Sequence, residues 1–197
     1  MFLQLSFSGP EVYTKFFDLS NAIWKLEDSA YNHRMPAISR HPFSRLRAAL
    51  YFWRGNFHRH FGNLTGEQRE YQLAVDDFSK AIELHAVYVP ALYSRGVLYW
   101  RELANYYRAV KDLTRVIELA PHWYEAWFNR ALAHQLRGEI PAAIADYEHY
   151  LTLPGKPKWR SSAQTQLEMI KAVEIEKAER RAKQNLREDS HTPGGFW

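Results

Sequence analysis

The segment AVDDFSKAIEL, from Ala74 to Leu84, returns as AVKDLTRVIEL from Ala109 to Leu119 and as AIADYEHYLTL from Ala143 to Leu153. The copies begin 35 and 34 residues apart. A fixed period of that size specifies stacked supersecondary units, each too small to bury its own apolar face. A second segment recurs between the copies: LYFWRGNFH at Leu50–His58, ALYSRGVLY at Ala91–Tyr99 and AWFNRALAH at Ala126–His134. Apolar residues in both segment types recur at three- and four-residue spacing, which predicts helices. Each unit is therefore a pair of antiparallel helices. Gly55, Gly96 and Ala131 mark where the two can approach closely, with Gly96 expected against the Ala109 turn and Ala131 against the Ala143 turn.

These residues fall on a known pattern. Trp127, Ala131, Ala143, Tyr147 and Pro154 match it in the third unit, and Leu92, Gly96, Tyr99, Ala109, Leu113, Val116 and Pro121 in the second. The first unit is looser: Tyr51, Gly55, Ala74, Phe78 and Ala81 match, whereas Ala86 stands where proline is expected. An arginine also replaces the leucine that usually precedes the small residue. The pattern resembles the tetratricopeptide repeat (TPR) family. The resemblance implies an all-α fold, a right-handed α-solenoid of about three helix-turn-helix repeats with an N-terminal half-repeat helix and a C-terminal capping helix. The repeats are placed at 44–86, 87–121 and 122–154.

The flanks extend this scheme. Asp18-Leu19-Ser20 followed by Ala22-Ile23 copies Asp112-Leu113-Thr114 followed by Val116-Ile117, so the N-terminal segment 1–43 is expected to carry one helix of a degenerate half-repeat, burying Val12, Phe16, Leu19, Ile23 and Trp24. A loop with Pro36 and Pro42 leads to a first repeat helix near Ser44, and seven extra residues, His60 to Gly66, read as a surface excursion inside the first hairpin. Residues 155–187 are expected to form the capping helix. Trp159, Ala163, Leu167 and Ile170 supply its packing side, and the stretch EKAERRAKQNLRE is solvated. Residues 188–197 read as a flexible tail whose Phe196-Trp197 could dock on a partner or be inert.

Composition narrows the function. The 197-residue chain has no cysteine, which removes disulfides and thiolate chemistry. No run approaches the ~20 apolar residues of a membrane helix, and MFLQLSF lacks a basic leader region. The cytoplasm is the expected compartment, with peripheral membrane association open only through a partner. A net charge of +4, without a basic stripe on one repeated face, argues against nucleic acid. No cofactor motif is present. His58 and His60 lie two residues apart, but no further ligands converge on them, so neither a metal site nor catalysis is expected.

Two sets of residues recur in register. Arg54, Arg95 and Arg130 align on the first helices; Asp77, Asp112 and Asp146 align on the second, with Asp18 a further copy. Because both signs repeat together, structural ion pairs are favoured over a basic binding stripe, within one repeat or between neighbours. On the first helices, Phe52, Asn56 and Arg59, then Tyr93, Val97 and Trp100, then Phe128, Leu132 and Gln135 each lie along one side. These residues either pack between helices or line an aromatic groove for a peptide or helix of another protein, with Asn56, Ser94 and Asn129 giving hydrogen bonds. The resemblance implies that the first helices face the concave side. In the branch of the family that clamps a C-terminal carboxylate, the matching positions are Phe52, Asn56, Ser94, Glu125 and Asn129. Only Asn56 fits, and Glu125 would repel a carboxylate. The expected function is a non-catalytic protein-interaction scaffold, an adaptor or assembly factor; the alternative is a structural subunit of a larger, possibly membrane-associated complex, held by its termini and convex face.

Overall fold

The computed structural model describes residues 41–155 and 158–190, and all described regular structure is helical. The chain divides into two units, Met1–Arg45 and Leu46–Trp197. The helix expected around Val12 to Trp24, with Asp18, and the Phe196-Trp197 tail lie outside the described residues. Seven helices are described: α1 (His41–Thr65), α2 (Gln68–Leu84), α3 (Val89–Arg101), α4 (Tyr106–Leu119), α5 (Tyr124–Arg137), α6 (Ile140–Thr152) and α7 (Arg160–Ser190). They form the helical-hairpin array that the period predicts, with α1–α2, α3–α4 and α5–α6 as successive hairpins and α7 packed on α6.

Two expectations about α1 are corrected. The helix begins at His41 instead of near Ser44, with Pro42 in its first turn, where a missing N–H breaks no intrahelical bond. It also continues through the stretch expected to be a loop. The reason is local packing: Gly62 is buried, and a Cβ there would lie 2.8 Å from the Tyr71 ring of α2. The Tyr71 hydroxyl donates to Asn63 Oδ1 at 3.3 Å. Gly66, at φ 72°, then turns the chain into α2. The extra residues thus add turns to both helices of the hairpin.

Small residues bring the hairpins together. A Cβ on Gly55 would lie 2.7 Å from the Phe78 ring, and one on Gly96 3.0 Å from Leu113 Cγ. Gly96 therefore meets the Asp112–Leu113 turn of α4, one turn beyond the expected Ala109. The core is a succession of local clusters. One joins Tyr71, Val75 and Phe78 to Leu98, Tyr99 and Ala109. A second joins Leu92 of α3 to Leu113, Val116 and Ile117 of α4 and Ala126 of α5. A third joins Phe128, Tyr147 and Tyr150 to Ala163, Leu167 and Ile170 of α7. Each helix buries its apolar stripe chiefly against elements close in sequence, with α5 also meeting α3 and, through Phe128, α7.

Candidate functional site

The recurrent arginines and aspartates meet within each hairpin. Arg95 donates through Nε and Nη2 to the two Asp112 oxygens at 2.7 and 2.8 Å, and Arg130 to those of Asp146 at 2.7 Å each. Arg54 grips Asp77 with the same fork, Nε to Oδ2 at 2.7 Å. All three aspartates are buried, so the bidentate geometry offsets the cost of desolvating the carboxylate. The remaining donor reaches backwards: Arg95 Nη1 donates to Ser79 Oγ at 2.8 Å, and Arg130 Nη1 to Thr114 Oγ1 at 3.1 Å. The register left open by sequence is therefore a carboxylate from the arginine's own hairpin and a hydroxyl from the preceding one.

A histidine four residues after the arginine joins two of these centres. His58 Nδ1 lies 2.7 Å from Glu70 Oε2, and His134 Nδ1 lies 2.7 Å from Glu139 Oε2. In each case Nε2 sits 3.9 Å from the aspartate of the same hairpin. Tyr99 takes the equivalent place in the middle hairpin. His58 is buried while His60 is exposed, as two positions on roughly opposite sides of a helix must be. No group of three potential metal ligands exists among the described residues.

The first-helix face divides into residues that pack and residues that remain accessible. Phe128 is buried between the Tyr147, Tyr150 and Trp159 rings. Ser94 and Asn129 are buried too, and Asn129 commits its amide to the Tyr93 hydroxyl at 3.0 Å and the Glu125 carbonyl at 2.7 Å. These three are corrections to the groove read from sequence: they lie beneath its surface. Asn56 donates to the Phe52 carbonyl at 2.9 Å. Trp100 packs against two clusters and its indole Nε1 is buried with no hydrogen-bond partner among the described residues, so its main contribution is to packing. Phe52, Asn56, Arg59, Tyr93, Val97 and Leu132 remain half-buried along the face.

Between α1 and α3 this face holds a hollow of about 270 Å³ lined by Arg59, Asn63, Val97, Leu98, Arg101 and Glu102. Burial pushes the Arg59 guanidinium below its ordinary pKa, and the Arg101 charge pushes the same way. Burial, helped by the Glu125 charge and opposed by the Asn129 hydrogen bond and Arg59, leaves the Tyr93 phenol raised to about 12. Tyr93 thus sits under the influence of a cation on one side and a carboxylate on the other. Sequence reasoning missed Asn63 and Arg101 as lining residues. Their signal was spacing: Asn63 continues the Phe52, Asn56, Arg59 side, and Arg101 lies one turn beyond Val97.

Comparison with known proteins follows the same lines. The tetratricopeptide repeat family profile matches residues 89–122. The chain is 33% identical over 94 residues to the heat shock protein sti1 homolog of Schizosaccharomyces pombe, an alignment covering 46% of this chain and 15% of that protein. It is 30% identical over 112 residues to serine/threonine-protein phosphatase 5 of Rattus norvegicus, covering 57% of this chain and 22% of that one. The chain therefore matches only a minor part of these relatives' length. Among solved structures, the first TPR of Spaghetti bound to the HSP90 peptide SRMEEVD superposes with a TM-score of 0.57 at 21% identity, covering 66% of this chain and 95% of that one. At that identity the likeness concerns the fold.

Proposed function

The chain is a tetratricopeptide repeat protein, and from that premise we propose that it is a non-catalytic adaptor or assembly factor that holds an extended segment of another protein on the face shared by α1, α3 and α5. The observation that carries this reading is the set of half-exposed side chains Arg59, Tyr93, Val97 and Leu132 in register beside an open hollow. An extended segment presents alternating side chains and unpaired backbone groups that such a trough can cover. The neighbour bound to a heat-shock peptide supports the choice of a peptide as occupant. The tail clamp itself is disfavoured here, because Phe52, Ser94, Glu125 and Asn129 offer no cation to a terminal carboxylate.

The test is site-specific photocrosslinking in lysate from the native source, with a benzoyl-phenylalanine at Val97 and, as control, at Lys111, an exposed residue of α4. Discrete protein adducts from Val97 and none from Lys111 are expected. Adducts from Lys111 alone would move the interface off this face.

A second reading has its own observation. Leu46, Leu50, Trp53 and Leu64 form an exposed stripe along α1, Trp53 at 74% exposure. Their spacing of four, three and eleven residues keeps one helix side. A structural subunit held at this edge by a partner helix would use it. Trp53→Arg would then release the chain from a purified complex while leaving the Val97 crosslink intact.

A further inference from the structure

The unit from Leu46 onward pairs its half-buried charges almost everywhere. Asp77, Asp112 and Asp146 each hold an arginine, and His58 and His134 each face a glutamate. The first-helix face breaks this habit. Arg59 and Glu125 are both half-buried, and among the described residues neither forms an ion pair. A half-buried charge without a counter-charge is costly in a folded chain, and a ligand that supplies the counter-charge recovers that cost on binding. The two charges are not scattered. Arg59 lines the hollow with Asn63 and Arg101, and Arg101 adds a second guanidinium, paired at 3.2 Å with Glu102, a carboxylate that also lines the hollow and leaves it one net positive charge. Glu125 stands on α5, across the Tyr93–Asn129 hydrogen bond from that hollow.

Resting on the groove reading above, we infer that this face is a dipolar peptide site: it takes an extended segment that places an acidic side chain over Arg59, Asn63 and Arg101, and a basic side chain over Glu125. Arg59 offers a planar fork and Asn63 an amide donor, the donor set that suits a carboxylate. Glu125 accepts from a lysine or arginine, while its charge excludes a second acid from that end. The occupant is an internal segment read through its side chains. A chain terminus is not required, because both recognition groups are met within the peptide.

The test is selection from a random dodecapeptide library displayed on phage, panned against the full chain and against five variants, with hits resynthesised as terminally blocked peptides. Wild-type selection is expected to enrich one acidic and one basic position at a constant separation. Arg59→Glu should convert the acidic preference to a basic one, and Glu125→Lys should convert the basic preference to an acidic one. Each reversal should weaken the wild-type peptides at least about tenfold. Val97→Trp fills the hollow and should abolish binding of either type. Arg59→Gln and Glu125→Gln, which introduce no new charge, should reproduce the loss if a reversal disturbs folding. Peptides that are lost on Val97→Trp but indifferent to both charge changes overturn the dipolar inference and leave the groove reading standing. Peptides indifferent to Val97→Trp, or no enrichment at all, overturn both.

Discussion

Arg95 reaches three oxygens with one side chain, two on Asp112 and one on Ser79, and is the residue through which two hairpins share a single polar centre. Removing Asp112 leaves a half-buried guanidinium without its carboxylate. Asp112→Ala is therefore expected to cost about 3–5 kcal/mol in urea unfolding, against a few tenths for Glu83→Ala at the exposed Lys80–Glu83 pair. Equal small losses would show that the buried fork contributes no more than a surface pair. Tyr93 carries a pH signature. Its phenol titrates near 10 in the unfolded chain and at about 12 here. The folded state thus holds its proton longer, so this stabilisation is complete below pH 10 and is lost as the pH rises towards 12. The tyrosine Cζ chemical shift, followed by NMR and assigned through Tyr93→Phe, should show that late titration; a midpoint near 10 would mean the ring is solvated. At this scale the ion pairs were legible because both partners recur at the repeat period, which chance spacing does not produce. The burial of Phe128 was not. Its helical position is equivalent to a groove position, and only the residue just ahead of α7, outside every repeat, supplies the Trp159 ring that covers it.

α7 changes character along its length. Ala163, Leu167 and Ile170 are buried at four- and three-residue spacing, and beyond them Val173, Ile175 and Leu186 are exposed. The distal turns are held by surface pairs, Lys177 to Glu174 at 2.8 Å and Arg180 to Glu176 at 2.7 Å, each worth about half a kcal/mol or less. Deleting residues 176–197 should leave the urea midpoint unchanged. Deleting residues 159–197 should uncover Phe128, Tyr147 and Tyr150 and give an aggregating chain, scored by light scattering. A large loss of stability from the shorter deletion would mean that the distal turns pack on something. This division was legible because apolar spacing stops in mid-helix. The far end of α1 was misread for the opposite reason. Family register sets a short hairpin, whereas the actual length is decided by Tyr71 seating on Gly62, a tertiary contact that local pattern does not contain. The same contact type gives a direct check nearer the middle of α1: Gly55→Ala drives a methyl into the Phe78 ring and should cost about 1–3 kcal/mol, relieved in part by Phe78→Leu.

In the unit from Leu46 to Trp197, a series of neighbour contacts takes the place of one central core. Tyr147 and Tyr150 pack with α5 and α7, and Phe78 packs with α3, but neither group reaches the other's cluster. Polar links repeat the arrangement: Ser79 to Arg95, Thr114 to Arg130, and at the next equivalent position Glu148 to Lys171 at 2.6 Å. The last link swaps a hydroxyl–arginine bond for a surface ion pair, so the final interface rests more heavily on its aromatics. Stability should then behave as a sum over adjacent interfaces, and damage should stay local. Tyr150 is the sharpest probe, being 1% exposed and accepting the Trp159 backbone N–H at 3.1 Å. Tyr150→Ala removes both the ring and that bond, at about 3–5 kcal/mol for a buried aromatic. Hydrogen exchange read by mass spectrometry should accelerate across α6 and α7 while the amides of α2 and α3 keep wild-type protection. That asymmetry matters for binding, because the hollow lined by Arg59 and Arg101 lies at the protected end. A partner gripping it would meet a preformed site even when the capping helix is loosened. Uniform acceleration over every helix would instead mark the array as one cooperative body, in which an event at α7 reaches the hollow through loss of the whole fold.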